Sequence, residues 1–139
     1  MSAQNLHQLP GRITGLLFVL LAAGFVAGCT SAKTVAKSEG QGARRTFHVS
    51  YETAWMASRG AIADNDLRVI DLDRRKGSIL AKRDIGMTTF GENVGVWVRR
   101  VAPELTSIEV VSRHVGPPVL PGQGLEKPIL DNIATMLDE

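Results

Sequence analysis

From Glu92 to Val101 the chain alternates, with Val94, Val96 and Val98 falling on one side and Asn93, Gly95, Trp97 and Arg99 on the other. Ala102-Pro103-Glu104-Leu105 turns the chain, and Thr106 to Val115 alternates again, setting Ile108 and Val110 against Glu109, Val111 and Arg113. Successive side chains of a strand point to opposite faces, so a period of two marks strands buried on one face. Two such strands joined by a short turn make an antiparallel pair. The rest of the chain must then supply an apolar layer for the valine face.

Two segments have the spacing to do so. Ser50 is placed to cap a helix, Glu52 puts a negative charge in its first turn, and Tyr51, Trp55, Ser58 and Ile62 form a stripe flanked by Ala54 and Ala61. That pattern predicts a helix from Tyr51 to Ala63, ended by Asp64-Asn65-Asp66. Ile129, Leu130, Ile133, Met136 and Leu137 share one face of a second helix, with Pro128 in its first turn.

Further strands are predicted over Arg44 to Val49, Leu67 to Leu72 and Ser78 to Lys82. Asp73-Arg74-Arg75-Lys76-Gly77 is a hairpin turn between the last two. Asp84 to Gly91 and the Pro- and Gly-rich stretch Gly116 to Gly124 are loops. The order is strand, helix, three or four antiparallel strands, helix. It predicts an α+β two-layer sandwich, a sheet of four to five strands with two helices on one face.

The N-terminal part is of another kind. Met1 to Arg12 has no acidic residue, Ile13 to Val26 is an uncharged run of 14 residues, and small Ala27 and Gly28 precede Cys29. A membrane span takes about 20 apolar residues, so the run has the length of a signal segment. Val26-Ala27-Gly28-Cys29 resembles the lipobox of bacterial lipoproteins. That resemblance implies cleavage before Cys29 and lipid on its thiol, giving a signal peptide of residues 1–28. An ordinary signal cleaved after Ala27 or Gly28, or an uncleaved short anchor with an incidental Cys, are the alternatives. Thr30, where Asp would favour inner-membrane retention, implies the outer membrane facing the periplasm. Residues 29–43 are small and polar, with too little to bury to offset the entropy of ordering, and are expected to form a flexible tether, with a helical end near Thr34 to Lys37 as the alternative. A single domain is expected over 44–139.

The Tyr/Trp-containing helix, the hairpin with Asp73, Gly77 and Ile79, the alternating strands and the final Ile129-Leu130-x-x-Ile133 helix together resemble a group of small bacterial lipoproteins of unknown function. At the level of layout the domain is also similar to those of the BamC-type lipoprotein. Fold similarity of that sort implies no activity.

Composition narrows the chemistry. Without residues 1–28 the chain keeps 15 of its 16 Lys and Arg and all 14 Asp and Glu, close to neutral. It lacks the dense basic surface that nucleic-acid binding requires. Cys29 is the only cysteine, so with lipid on it no thiol remains for a disulfide, metal or nucleophile. His48 sits on the polar side of an edge strand beside Arg44 and Arg45, and His114 stands at a strand end before a loop. Neither is assigned a catalytic role from spacing alone. Asp64, Asp66, Asp71 and Asp73 serve as helix stop and turn residues, because the stretch runs into an apolar strand where a calcium loop would continue with ligands. The glycines Gly86, Gly91, Gly95, Gly122 and Gly124 make no phosphate loop. No cofactor and no metal are expected.

One set of side chains stands out. With the valines facing the helices, Trp97 and Arg99 project from the other face of the sheet, joined by Arg113 and Lys82. Aromatic and Arg side chains together anchor interfaces or carry a sugar ring or headgroup, unless the tether or a loop covers Trp97. Arg74-Arg75-Lys76 is a solvated turn. The chain is therefore expected to be a non-catalytic, membrane-tethered periplasmic module that binds another envelope protein through that face. An envelope ligand, peptidoglycan or lipopolysaccharide, is the alternative.

Overall fold

The alternating segments are strands of one five-stranded antiparallel sheet in the computed structural model, which describes residues 32–87, 90–115 and 124–138. In chain order the elements are α1 (Ala32–Ala36), β1 (Ala43–Phe47), α2 (Tyr51–Asp64), β2 (Arg68–Asp73), β3 (Ser78–Ile85), β4 (Phe90–Ala102), β5 (Leu105–His114) and α3 (Glu126–Asp138). The sheet order is β1-β5-β4-β3-β2. β2 to β5 form a meander, and β1 pairs with the last of them, so α2 carries the chain from one edge of the sheet to the other. The segment expected as a signal, Cys29 and Thr30 lie outside the described residues, as does most of the loop expected over Gly116 to Gly124.

Sequence expectation and structure agree on the α+β class and on the helical face. Ile79, Ala81, Val94, Val96, Val98, Ile108 and Val110 project from three central strands under Ala54, Trp55, Ala61 and Ile62 of α2 and Ile129, Leu130 and Ile133 of α3, all buried. The helices begin where local chemistry lets them. The Thr53 amide donates to Ser50 Oγ at 3.2 Å, capping α2. At its other end Asp66 turns left-handed (φ 54°), while the Leu67 amide reaches back to the Ile62 carbonyl and the Asp66 amide to that of Ala63. This is the paired arrangement that usually recruits glycine; Leu67 follows into the core. The predicted loop over Asp84 to Gly91 is shorter than expected, because β3 runs on to Ile85 and β4 starts at Phe90, with those two residues paired.

The N-terminal segment departs from the sequence reading. Residues 32–42, expected as part of a flexible tether before a domain starting at 44, contain α1, and Ala43 already belongs to β1. α1 packs on the sheet face away from α2 and α3, with Val35 buried against Trp97, Val111 and Leu80. Few apolar side chains are needed there. A Cβ at Gly95 would overlap the Trp97 indole and crowd Val35, so the missing side chain lets the ring lie across the strand, where one short helix covers it.

A carboxylate completes the attachment. Glu109 Oε1 accepts the amides of Gly40 (2.6 Å) and Gly42 (3.0 Å), and its Oε2 accepts Arg44 Nη2 at 2.6 Å. Segment 38–44 is thus bound to β5 by charge-assisted bonds, which are stronger than neutral ones.

Candidate binding surface

Lys82 on β3, Trp97 and Arg99 on β4 and Arg113 on β5 share the α1 face, as their spacing requires. They do not form an open platform. Trp97 is 3% exposed, covered by Val35, so of the two readings left open for its ring, covering by the segment before the domain holds. Arg99 is engaged with Glu39, which follows α1, and with the carbonyls of Lys76 and Gly77. Arg113 donates to the Ser112 carbonyl (3.0 Å) and to Gln41 Oε1 (3.4 Å). Lys82 pairs with Asp84 at 2.8 Å.

By lying across the middle of this face, α1 divides it into two grooves. One, of about 380 Å³, is bounded by Glu39, Asp71, Lys76, Leu80, Arg99 and the edge of Trp97. The other, of about 560 Å³, lies at the opposite end of α1 between Ala32, Ile70, Lys82, Ile85, Asn93 and Val115.

Both grooves reach the β2 edge. Among the described residues β2 is bonded to β3 alone, and Val69, Ile70 and Leu72 are 43%, 37% and 43% exposed. The register shifts between Val69 and Asp71, leaving Ile70 as an extra residue. A bulge of this kind bends the edge and re-aims a side chain. Here it turns Ile70 to the α1 face, where it walls the larger groove beside Asp71 in the smaller one.

A third cleft, of about 330 Å³, opens at the β2–β3 turn and gathers Arg74, Arg75, Lys76, Arg99 and Arg100 around Tyr51. The Tyr51 hydroxyl donates to the Arg74 carbonyl at 2.7 Å, its ring stacks on Trp55, and Arg100 Cζ lies 5.6 Å from the ring centroid. Burial pushes the Tyr51 phenol up, against the pull of Arg74 and Arg99. Arg74 also pairs with Glu52, and Asp73 accepts the amides of Arg75 (3.0 Å) and Lys76 (2.9 Å), an Asx-type turn. The three consecutive cations, read from sequence as a solvated turn, thus form one wall of a cleft, and only folding brings Arg99 and Arg100 to them.

The acid-base candidates were separated in sequence and stay mostly so. His48 is exposed after β1. His114 Nε2 lies 3.9 Å from Glu92 Oε1, beyond hydrogen-bond reach, and has no hydrogen-bond partner among the described residues. Glu92, in phase with the buried valines of β4, is buried; its Oε1 accepts the Ser112 hydroxyl and the Leu125 amide (3.3 Å). The hydroxyl therefore points straight at the carboxylate, without an imidazole between them. In a Ser-His-acid triad the histidine stands in that place. Among the described residues no group of three or more His, Cys, Asp or Glu is arranged to hold a metal ion, and no helix is long and apolar enough to cross a membrane.

No protein-family model and no curated protein matches the chain. Among solved structures it is similar to the di-domain ARO/CYC StfQ from the steffimycin biosynthetic pathway, at 8% identity and a TM-score of 0.42. The likeness covers 69% of this chain and spans 43% of that protein. At this level it carries no argument about activity.

Proposed function

We propose that this chain is a lipid-anchored envelope protein, attached through Cys29, that acts by binding another envelope protein and catalyses no reaction. The observation that carries the reading is the β2 edge, which among the described residues is bonded to β3 alone, with Val69, Ile70 and Leu72 exposed along it and Ile70 lining the larger groove. An unpaired edge offers backbone donors and acceptors to an incoming strand. The bulge at Ile70 interrupts a generic edge-to-edge extension, so the edge favours a partner whose side chains fit the apolar positions. The absence of catalysis is supported by the filled space between sheet and helices and by the direct Ser112–Glu92 bond. Anchoring rests on the lipobox and on the 14-residue apolar run before it. The lipid would hold the domain at high local concentration near membrane partners.

The second reading, an anionic envelope ligand such as lipopolysaccharide or peptidoglycan, is favoured by the five cations around Tyr51. Site-specific photo-crosslinking of the full chain in cells separates the two. A photoreactive residue at Leu72 is expected to give a discrete protein adduct, and one at Met56, exposed on α2, none. Absence of adducts at 69, 70 and 72, together with cell-wall or lipopolysaccharide binding lost in Arg75→Ala/Arg100→Ala, would overturn the protein-binding reading. Anchoring is tested by palmitate labelling, which Cys29→Ser should abolish.

A further inference from the structure

Three large apolar side chains crowd the tip of the β3–β4 hairpin. Ile85 is 70% exposed, Met87 fully exposed and Phe90 60% exposed, with Val115 beside them on the rim of the larger groove. Isolated exposed apolar residues are ordinary, but several on one projection mark a contact surface. The opposite ends of β3 and β4 are charged instead, carrying Arg74, Arg75, Lys76, Arg99 and Arg100.

The start of α1 indicates what covers the tip. Ala32 lines the same groove as Ile85 and Val115. Cys29 lies three residues before it, a span of at most about 10 Å in extended chain. Lipid on Cys29 would therefore enter the bilayer within that distance of Ala32, on the groove that Ile85 of the hairpin also lines. Among the described residues lining the groove, the acid Asp84 is neutralised by Lys82 Nζ (2.8 Å) and Arg68 Nη2 (3.0 Å).

We propose, building on the reading of Cys29 as the lipid attachment site, that the domain seats on the bilayer surface with Ile85, Met87 and Phe90 inserted at the headgroup–acyl boundary. One flexible attachment point leaves a domain free to tumble; a second, apolar contact fixes its orientation. β4 is 13 residues long, about 40 Å at the rise of a strand. The cationic cleft and the smaller groove then face away from the membrane, and the β2 edge runs between.

The chain has one native cysteine, and acylation consumes its thiol. Met87→Cys in the purified acylated full chain is thus a single labelling site for a nitrobenzoxadiazole fluorophore, with Glu104→Cys as the distal control. In phosphatidylethanolamine–phosphatidylglycerol vesicles, the label at 87 should shift to the blue, resist iodide and be quenched by lipids spin-labelled on their acyl chains. The label at 104 should behave as in water. Adding Ile85→Ser and Phe90→Ser should remove the protection at 87 without changing the thermal melt, since both side chains are exposed. Equal iodide access at 87 and 104 in protein whose mass shows lipid on Cys29 would overturn the seating and leave the anchor standing. Protection that survives the serine substitutions would overturn the wedge as its cause. Absence of lipid on Cys29 by mass would overturn the anchor, and the seating with it.

Discussion

Arg44 and Glu109 face each other across the β1–β5 ladder, the guanidinium donating at 2.6 Å to a carboxylate whose side chain is only 4% exposed. Burial raises the Glu109 carboxyl, but the bonds from Arg44 and from the Gly42 and Gly40 amides outweigh it and hold the group below its ordinary value. Because the folded value is depressed, the stabilisation is complete above the unfolded value of about 4.5 and is lost as pH falls through the folded one. Urea unfolding from pH 7 to pH 3 should show this decline, and Glu109→Gln should flatten it.

Removing the carboxylate altogether leaves the Gly40 and Gly42 amides without their acceptor. Glu109→Ala should cost about 2 kcal/mol, as for hydrogen bonds to a charged group. Arg44→Ala should cost below about 1 kcal/mol, because Arg44 is largely exposed and solvent screens it. Hydrogen exchange should quicken at residues 40 and 42 in the first variant far more than in the second.

Gly95 has a different task, to leave room for Trp97. Gly95→Ala should displace the indole, destabilise the fold by about 1 to 3 kcal/mol as overpacking does, and shift tryptophan emission to the red. Val35→Asp should expose the same ring from the other side, making it accessible to iodide while Trp55, on the core-facing side of α2, stays protected.

At the end of α2 Asp66 occupies left-handed backbone (φ 54°) that costs a residue with a Cβ roughly 1 kcal/mol or more. Asp66→Gly should raise the thermal midpoint, since glycine enters this region freely. Asp66→Val should lower it.

Gly77 in the β2–β3 turn combines a positive φ of 59° with a close approach, because a Cβ there would overlap the Val98 carbonyl oxygen. Its own carbonyl accepts the Val98 amide at 2.8 Å. Gly77→Ala should therefore lower stability by about 2 kcal/mol or more and loosen the Tyr51 cleft. Thermal melts would measure the first effect and Tyr51 ring NMR shifts the second.

The valine alternation, the Ser50 cap and the Ile129-Leu130-Ile133 stripe were readable as a helix-covered sheet because each rests on local periodicity, and the buried set is the one that periodicity selects. The shared face of Lys82, Trp97, Arg99 and Arg113 was readable for the same reason. That the tether could cover it was an open alternative, but which of its residues would do so was not readable. α1 buries a single large apolar side chain, Val35, and five residues form too short a helix to show a pattern. The carboxylate of Glu109 falls on the polar side of its strand, and what holds it was not readable, because its partner Gly40 is 69 residues away in sequence.

By itself the sequence determined the α+β class and the valine face, both properties of residue type and short spacing. Tertiary structure decided that Trp97 is covered, that two grooves and an open β2 edge remain beside it, and that five cations converge on Tyr51. These depend on which strands become neighbours and on what Gly95 leaves empty, distances that no local period encodes.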